Sequence, residues 1–199
     1  MRIIRRLYDW VLGWSKSRWG AVALFCIAFA ESSFFPVPPD VLLIALCLGL
    51  SARSLRYAAI CTAGSLLGAI LGYGIGHYLW QTPGVADFFF DVIPGFSHES
   101  YRTISGLYDK YNFWVVFTMG FTPLPYKVAT ITAGIFNINF VMFLLASTVS
   151  RGARFFLIAW LIWRFGQPVK TFIDKYFNWL ALAFTVLLVG SFLLIGCLL

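Results

Sequence analysis

The sequence predicts an all-α polytopic membrane protein organised as two inverted repeats, and three observations carry that prediction. The chain has 199 residues, 60% apolar and 12% charged, with mean hydropathy +0.83. A soluble domain is nearer half apolar and a quarter charged. Basic residues and tryptophans gather at the edges of the apolar segments, as topogenic signals and an aromatic belt require. Finally, two apolar stretches carry the same interruption: Phe34-Phe35-Pro36-Val37-Pro38-Pro39-Asp40 returns as Phe121-Thr122-Pro123-Leu124-Pro125-Tyr126-Lys127. Each breaks the backbone with Pro-x-Pro and places a charge two residues after the second proline. Hydrocarbon penalises broken backbone and charge alike, so matched positions that do both point to a site.

The elements follow in order. Residues 1–19 carry Arg2, Arg5, Arg6, Lys16 and Arg18 against Asp9. Ile3, Ile4, Leu7, Trp10, Val11 and Trp14 recur at helical spacing, so this segment reads as a basic amphipathic helix on the cytoplasmic surface. Segment 20–50 is apolar except for Glu31 and Asp40, and Arg53 and Arg56 follow it. Both flanks are basic, which places both in the cytoplasm. Neither the part before the prolines nor the part after reaches the roughly twenty residues needed to span. The segment therefore enters and leaves on one side, as a re-entrant helical hairpin. Ala28-Phe29-Ala30 superficially resembles a signal-peptide cleavage site, but the leader is long and tryptophan-rich and apolar sequence resumes beyond it. The segment is expected to be retained.

Residues 57–80 form a crossing helix. Gly64, Gly68, Gly72 and Gly76 line one of its faces, a stripe suited to close packing within the chain or in a homo-oligomer. Segment 81–111 balances Asp87, Asp91, Glu99 and Asp109 against Arg102 and Lys110, which suits the extracytoplasmic surface. Segment 112–137, broken by Pro123 and Pro125, re-enters from that side. Residues 139–163 cross back despite Arg151 and Arg154, and Arg164, Lys170 and Lys175 mark the cytoplasm again. Segment 177–199 makes a last crossing that leaves the C-terminus outside. Residues 20–176 thus form one transport domain of two units, each a re-entrant hairpin followed by a crossing helix. A single crossing between the hairpins gives them opposite orientations, an arrangement typical of secondary transporters.

Glu31, Asp40, Lys127, Arg151 and Arg154 fall at membrane depth and must pair or face water. If the hairpin tips meet, Asp40 approaches Lys127, while Arg151 and Arg154 form one cationic patch. Cations beside the helix starts that follow Pro36, Pro38, Pro39, Pro123 and Pro125 suit a phosphate group. Carboxylates in a low-dielectric site suit proton uptake and release. The bland alternative is that these charges only neutralise one another and fix the packing. Ser32 and Ser33 are expected to satisfy backbone freed at the break. His77 reads as an interfacial histidine, and His98 has no partner signal.

Other classes are disfavoured. The net charge of +7 belongs to membrane flanks, so no nucleic acid is expected. Cys26, Cys47, Cys61 and Cys197 stand singly, without CxxC or Cys/His ligand spacing, and read as small buried hydrophobes rather than a metal site. No Ser/His/Asp order, Walker loop or HExxH is present, so neither an enzyme nor a cofactor is expected.

Glu31 with Pro36-Val37-Pro38-Pro39-Asp40, the glycine-rich second helix, and Pro123-Leu124-Pro125-Tyr126-Lys127 leading to Gly134 resemble the DedA family, also called the SNARE-associated or VTT-domain family. The likeness is greatest to its YqaA-like branch and covers roughly residues 20–167. It implies a bacterial inner-membrane protein with two re-entrant hairpins that moves polyprenyl phosphates or phospholipids between leaflets, often linked to the proton-motive force. By position Glu31 and Asp40 look like the family's essential acidic pair, and Lys127 sits where many members have the second of two arginines. Phe121 occupies the place of the first, and Arg151 or Arg154 could supply that charge. The expectation is a flippase- or scramblase-type lipid transporter using Glu31 and Asp40 for protons and Lys127, Arg151 and Arg154 for lipid phosphate. A proton- or cation-coupled small-ion exchanger and a non-transporting membrane-organising protein are the alternatives.

Overall fold

The computed structural model describes residues 19–34, 38–85, 98–122 and 125–166. Among the described residues there are six α-helices, one 3-10 turn and no strand. These helices are α1 (Gly20–Ser33), α2 (Pro39–Gly49), α3 (Ser54–Gln81), α4 (His98–Phe121), α5 (Tyr126–Ile135) and α6 (Phe140–Gly166). The 3-10 turn Ser51–Arg53 leads directly into α3. The expected surface helix at 1–19, the expected crossing at 177–199, and Pro36 and Pro123 lie outside the described residues.

Among the described residues, two helices are long and apolar enough to cross a bilayer, Ser51–Gln81 with its 3-10 lead and Phe140–Gly166. By contrast α1, α2 and α5 have 14, 11 and 10 residues. At 1.5 Å per residue none reaches about 30 Å, the thickness of a hydrocarbon core. The all-helical class is therefore as the sequence implied. Helix α4 runs unbroken from His98 to Phe121 and so takes in both the end of segment 81–111 and the start of segment 112–137. Polarity changes there, but Tyr111-Asn112-Phe113 contains no glycine or proline to end a helix.

Local chemistry explains the ends. Pro38 is extended, with ψ 119°, and Pro39 opens α2, where a missing N–H costs no hydrogen bond. Asp40 lies in the first turn, favourable against the helix dipole. Pro125, with ψ 109°, does the same before Tyr126. At the other end of α5, Asn137 takes a left-handed φ of 49°. Ile138 N–H then reaches the Ala133 carbonyl (3.2 Å) and Asn137 N–H the Gly134 carbonyl (3.1 Å), a Schellman ending. Two residues on, the Asn139 side chain accepts from Met142 N–H (3.1 Å) and caps α6.

Helix α3 is the shared support. A Cβ at Gly64 or Gly68 would collide with the backbone of Phe25 or Phe29 on α1. One at Gly76 would meet Ile131 on α5, and one at Gly72 would meet both Thr130 and the Ser32 carbonyl. The glycine stripe thus does the packing expected of it, and it serves both halves: α1 rests on its first part and α5 on its last. At Gly72 the C-terminal end of α1 meets the N-terminal part of α5. Two apolar clusters form on either side of that junction. One gathers Leu24, Leu43, Leu46, Cys61 and Phe155; the other gathers Ala69, Val116, Tyr126, Ala129 and Phe143. Between them, on both α3 and α6, lie the polar residues.

Candidate functional site

Four of the five charges singled out at membrane depth come together, as two separate carboxylate–guanidinium pairs. Glu31, in the last turn of α1, holds Arg151 of α6, with Oε2 2.6 Å from Nη2. Asp40, in the first turn of α2, holds Arg154 through two bonds, Nε to Oδ1 and Nη2 to Oδ2, both 3.0 Å. A two-pronged contact of this kind is the strongest geometry available to a carboxylate and a guanidinium.

The first pair is embedded in a network. Glu31 Oε1 accepts the backbone N–H of Tyr126 at 2.9 Å. A carboxylate from the first half therefore caps the N-terminus of α5 in the second, where an anion is favoured. Ser32 donates to Oε2 (3.2 Å) and shares a hydrogen bond with Ser65 of α3 (2.7 Å). Ser65 in turn accepts Arg151 Nε at 2.8 Å. The guanidinium carbon lies 4.8 Å from the Tyr126 ring centroid and 4.6 Å from that of Phe155, close enough for cation–π attraction. The Tyr126 hydroxyl donates to Ser147 at 2.6 Å. Thr130 adds a further tie between the halves, donating to the Ser32 carbonyl at 2.9 Å.

The second pair has one additional partner. Arg154 Nη1 donates to the Phe121 carbonyl at 3.0 Å, so one guanidinium joins the start of α2 to the end of α4. The side chains of Arg154 and Asp40 are 14% and 17% exposed, against 2% and 7% for Arg151 and Glu31.

Two geometric expectations are corrected. Asp40 does not pair with Lys127: among the described residues Lys127 makes no ion pair. The start of α5 docks on the end of α1, so the carboxylate that meets it is Glu31. Nor do Arg151 and Arg154 act as one patch, since each takes its own carboxylate on a different helix. Near Phe121, Arg154 reaches that residue's carbonyl from α6. Ser33 donates to the Phe29 and Ala30 carbonyls of its own helix (2.8 and 3.2 Å), the latter already bonded to Phe34 N–H, whereas Ser32 turns sideways into the network. His77 bonds Gln81 at 2.9 Å in an exposed position near the end of α3. Cys47 and Cys61 are buried, but Cys26 is exposed, and Cys197 lies outside the described residues.

Ser65 and Ser147 escaped the sequence reading. Single serines on apolar helices carry no pattern of their own, although Ser65 does stand directly beside Gly64 in the stripe. Tyr126 was visible only as a neighbour of Lys127.

Comparison with known proteins gives a consistent picture. Residues 37–164 match the family model of the VTT domain. A protein of Haemophilus influenzae, described only as uncharacterized, is 34% identical over 161 residues, covering 80% of this chain and 80% of that protein. One of Histophilus somni, described as an uncharacterized protein HI0703 homolog, is 33% identical over 179 residues, covering 87% and 91%. No solved structure matches the chain.

Proposed function

The chain belongs to the VTT-domain (DedA) family of membrane proteins, and from that premise we propose that it carries a phosphate-bearing lipid, a polyprenyl phosphate or phospholipid, between leaflets. The observation that carries this reading is the paired fork of Arg154 on Asp40. A guanidinium that accepts a carboxylate in this geometry accepts a phosphate equally well. Asp40 is then an internal anion keeping the seat filled between substrates.

The exchange has a direct electrostatic logic. A phosphate and an ionised Asp40 cannot share one guanidinium, because the site would carry excess negative charge away from water. Protonating Asp40 neutralises it and frees Arg154 for the lipid phosphate. Proton and lipid therefore bind together, which couples transport to a proton gradient without any covalent step. Lys127, unpaired among the described residues and in the first turn of α5, is the cation that draws the headgroup inward. Glu31 and Arg151 hold the junction across which the exchange occurs.

The architecture that serves this cycle is a pair of re-entrant hairpins, α1–α2 and α4–α5, inserted from opposite sides and followed by the crossing helices α3 and α6. The shortness of α1, α2 and α5, and the end-to-end contact of α1 with α5, support it. In this reading the protein sits in a bacterial inner membrane with its N-terminus cytoplasmic and its C-terminus periplasmic.

Reconstituted vesicles test the proposal. Leaflet exchange of a labelled polyprenyl phosphate or phosphatidic acid is expected in the wild type and is lost in Asp40→Asn and in Lys127→Ala. Proton flux without lipid movement would instead establish an ion exchanger. Well-folded protein showing neither activity would leave a membrane-organising role.

A further inference from the structure

Helices α1 and α5 meet end to end, and among the described residues two hydrogen bonds cross that contact. One is the Tyr126 N–H on Glu31 Oε1; the other is the Thr130 hydroxyl on the Ser32 carbonyl at 2.9 Å. In an unbroken helix the Ser32 carbonyl would accept the N–H of residue 36. Position 36 is proline, which has no N–H. Ser32 and Thr130 are fully buried, so the carbonyl needs a protein donor in place of the missing one. Among the described residues Thr130 is that donor. Thr130 also has a second acceptor within reach. Its Oγ1 lies 3.0 Å from the Lys127 carbonyl, three residues back on α5. A hydroxyl carries one proton and serves one carbonyl at a time. The two carbonyls are not equivalent, because that of Lys127 lies inside α5 and has the N–H of Ile131 as its helical donor. Gly72 of α3 closes the remaining side: a Cβ there would collide with Thr130 Oγ1 and stand 2.9 Å from the Ser32 oxygen.

We propose that Thr130 is a latch between α1 and α5 with two settings. Closed, its proton lies on the Ser32 carbonyl and holds the end of α1 against α5. Released, the hydroxyl turns to the Lys127 carbonyl and stays bonded, so Ser32 alone is left bare. A bare carbonyl in a dry interior is costly and draws in water. Release therefore wets the residue next to Glu31 and opens the enclosed Glu31–Arg151 network to solvent. Thr130 is a positioning residue for that network, acting through the Ser32 backbone rather than by touching either charge. The latch goes beyond the transport reading and does not rest on it.

Residue-resolved amide hydrogen exchange of the full-length protein in detergent micelles tests this. The Tyr126 amide is bonded across the junction, so its exchange reports release. Thr130→Ala and Thr130→Val are both expected to speed it about tenfold while the Ala58 amide in α3 is unchanged, and Thr130→Ser to restore the wild-type rate. Faster exchange in Thr130→Val alone would mean crowding against Gly72 rather than a lost bond. An equal rise at Ala58 would mean general destabilisation, and acceleration in Thr130→Ser would mean that the methyl group holds the junction. Each of these overturns the proposal, as does an unchanged Tyr126 rate in every variant. Should the Ala and Val variants fail to fold, the wild type decides. At low fractions of sodium dodecyl sulfate its Tyr126 exchange is expected to stay level while Ala58 exchange climbs. Parallel climbs would mean that the junction opens only by unfolding, and overturn the latch. A working latch in a protein that moves no lipid would leave this inference standing and remove the transport reading instead.

Discussion

Glu31–Arg151 and Asp40–Arg154 are the same chemical pair made twice, with the two arginines three residues apart on α6. Their surroundings differ. Around the first, Tyr126 N–H, Ser32 and Ser65 take up the remaining hydrogen-bonding capacity. Around the second, among the described residues, the carboxylate has the guanidinium alone and the guanidinium has one further acceptor, a carbonyl. Charges in a dry interior are tolerated when every lone pair and proton is matched, and such a pair is hard to open. A pair with spare capacity and partial exposure can trade its partner. The same two functional groups thus give a fixed, fully bonded joint in one place and a less bonded, more exposed one in the other, a difference made by neighbours.

The largest expected effect is on the fixed joint. Removing Glu31 as Glu31→Ala leaves Arg151 charged and buried, a loss of about 3–5 kcal/mol. It should appear as unfolding or a large fall in melting temperature in detergent. Asp40→Ala should cost markedly less by the same measurement; equal losses would end the distinction. Charge exchange is the sharper test. Asp40→Arg with Arg154→Asp keeps an ion pair and should recover most of the stability lost in either single variant. Glu31→Arg with Arg151→Glu should not recover it, because an arginine cannot accept the Tyr126 N–H. Ser65→Ala comes next. It strips Arg151 Nε of its acceptor, at about 1–3 kcal/mol, visible as a lower denaturation midpoint. The smallest effect belongs to Lys127→Ala, within about 0.5 kcal/mol of wild type as for a side chain with no ion pair among the described residues. Lipid movement in vesicles should nevertheless fail in that variant.

How far the sequence could be read follows from these same residues. Charges inside apolar segments stand out from composition alone, and Glu31, Asp40, Arg151 and Arg154 are four of them. Proline after proline marked the starts of α2 and α5, and the spacing of four marked the glycine stripe. Partner choice was hidden. Matched positions in the two breaks suggested Asp40 with Lys127, but matching within a repeat says nothing about which helix ends abut. The end of α1 abuts the start of α5 because both rest on α3 around Gly72, a fact of packing that no periodicity encodes. The uninterrupted run of α4 through Tyr111 was hidden for a different reason. A helix can continue through a change of polarity whenever its backbone is free to do so.

The bare face of α3 has one more consequence. Gly64 and Gly68 set how near α1 can come, and Gly76 sets the same for α5. The span between Glu31 and the Tyr126 N–H is therefore gauged by atoms that are missing from a third helix. A methyl group added at Gly68 would strike the backbone of Phe29 first, yet its effect would be read two residues further on, as a carboxylate lifted off its helix cap. In this molecule the tolerance of the electrostatic joint is machined into a surface that carries no charge at all.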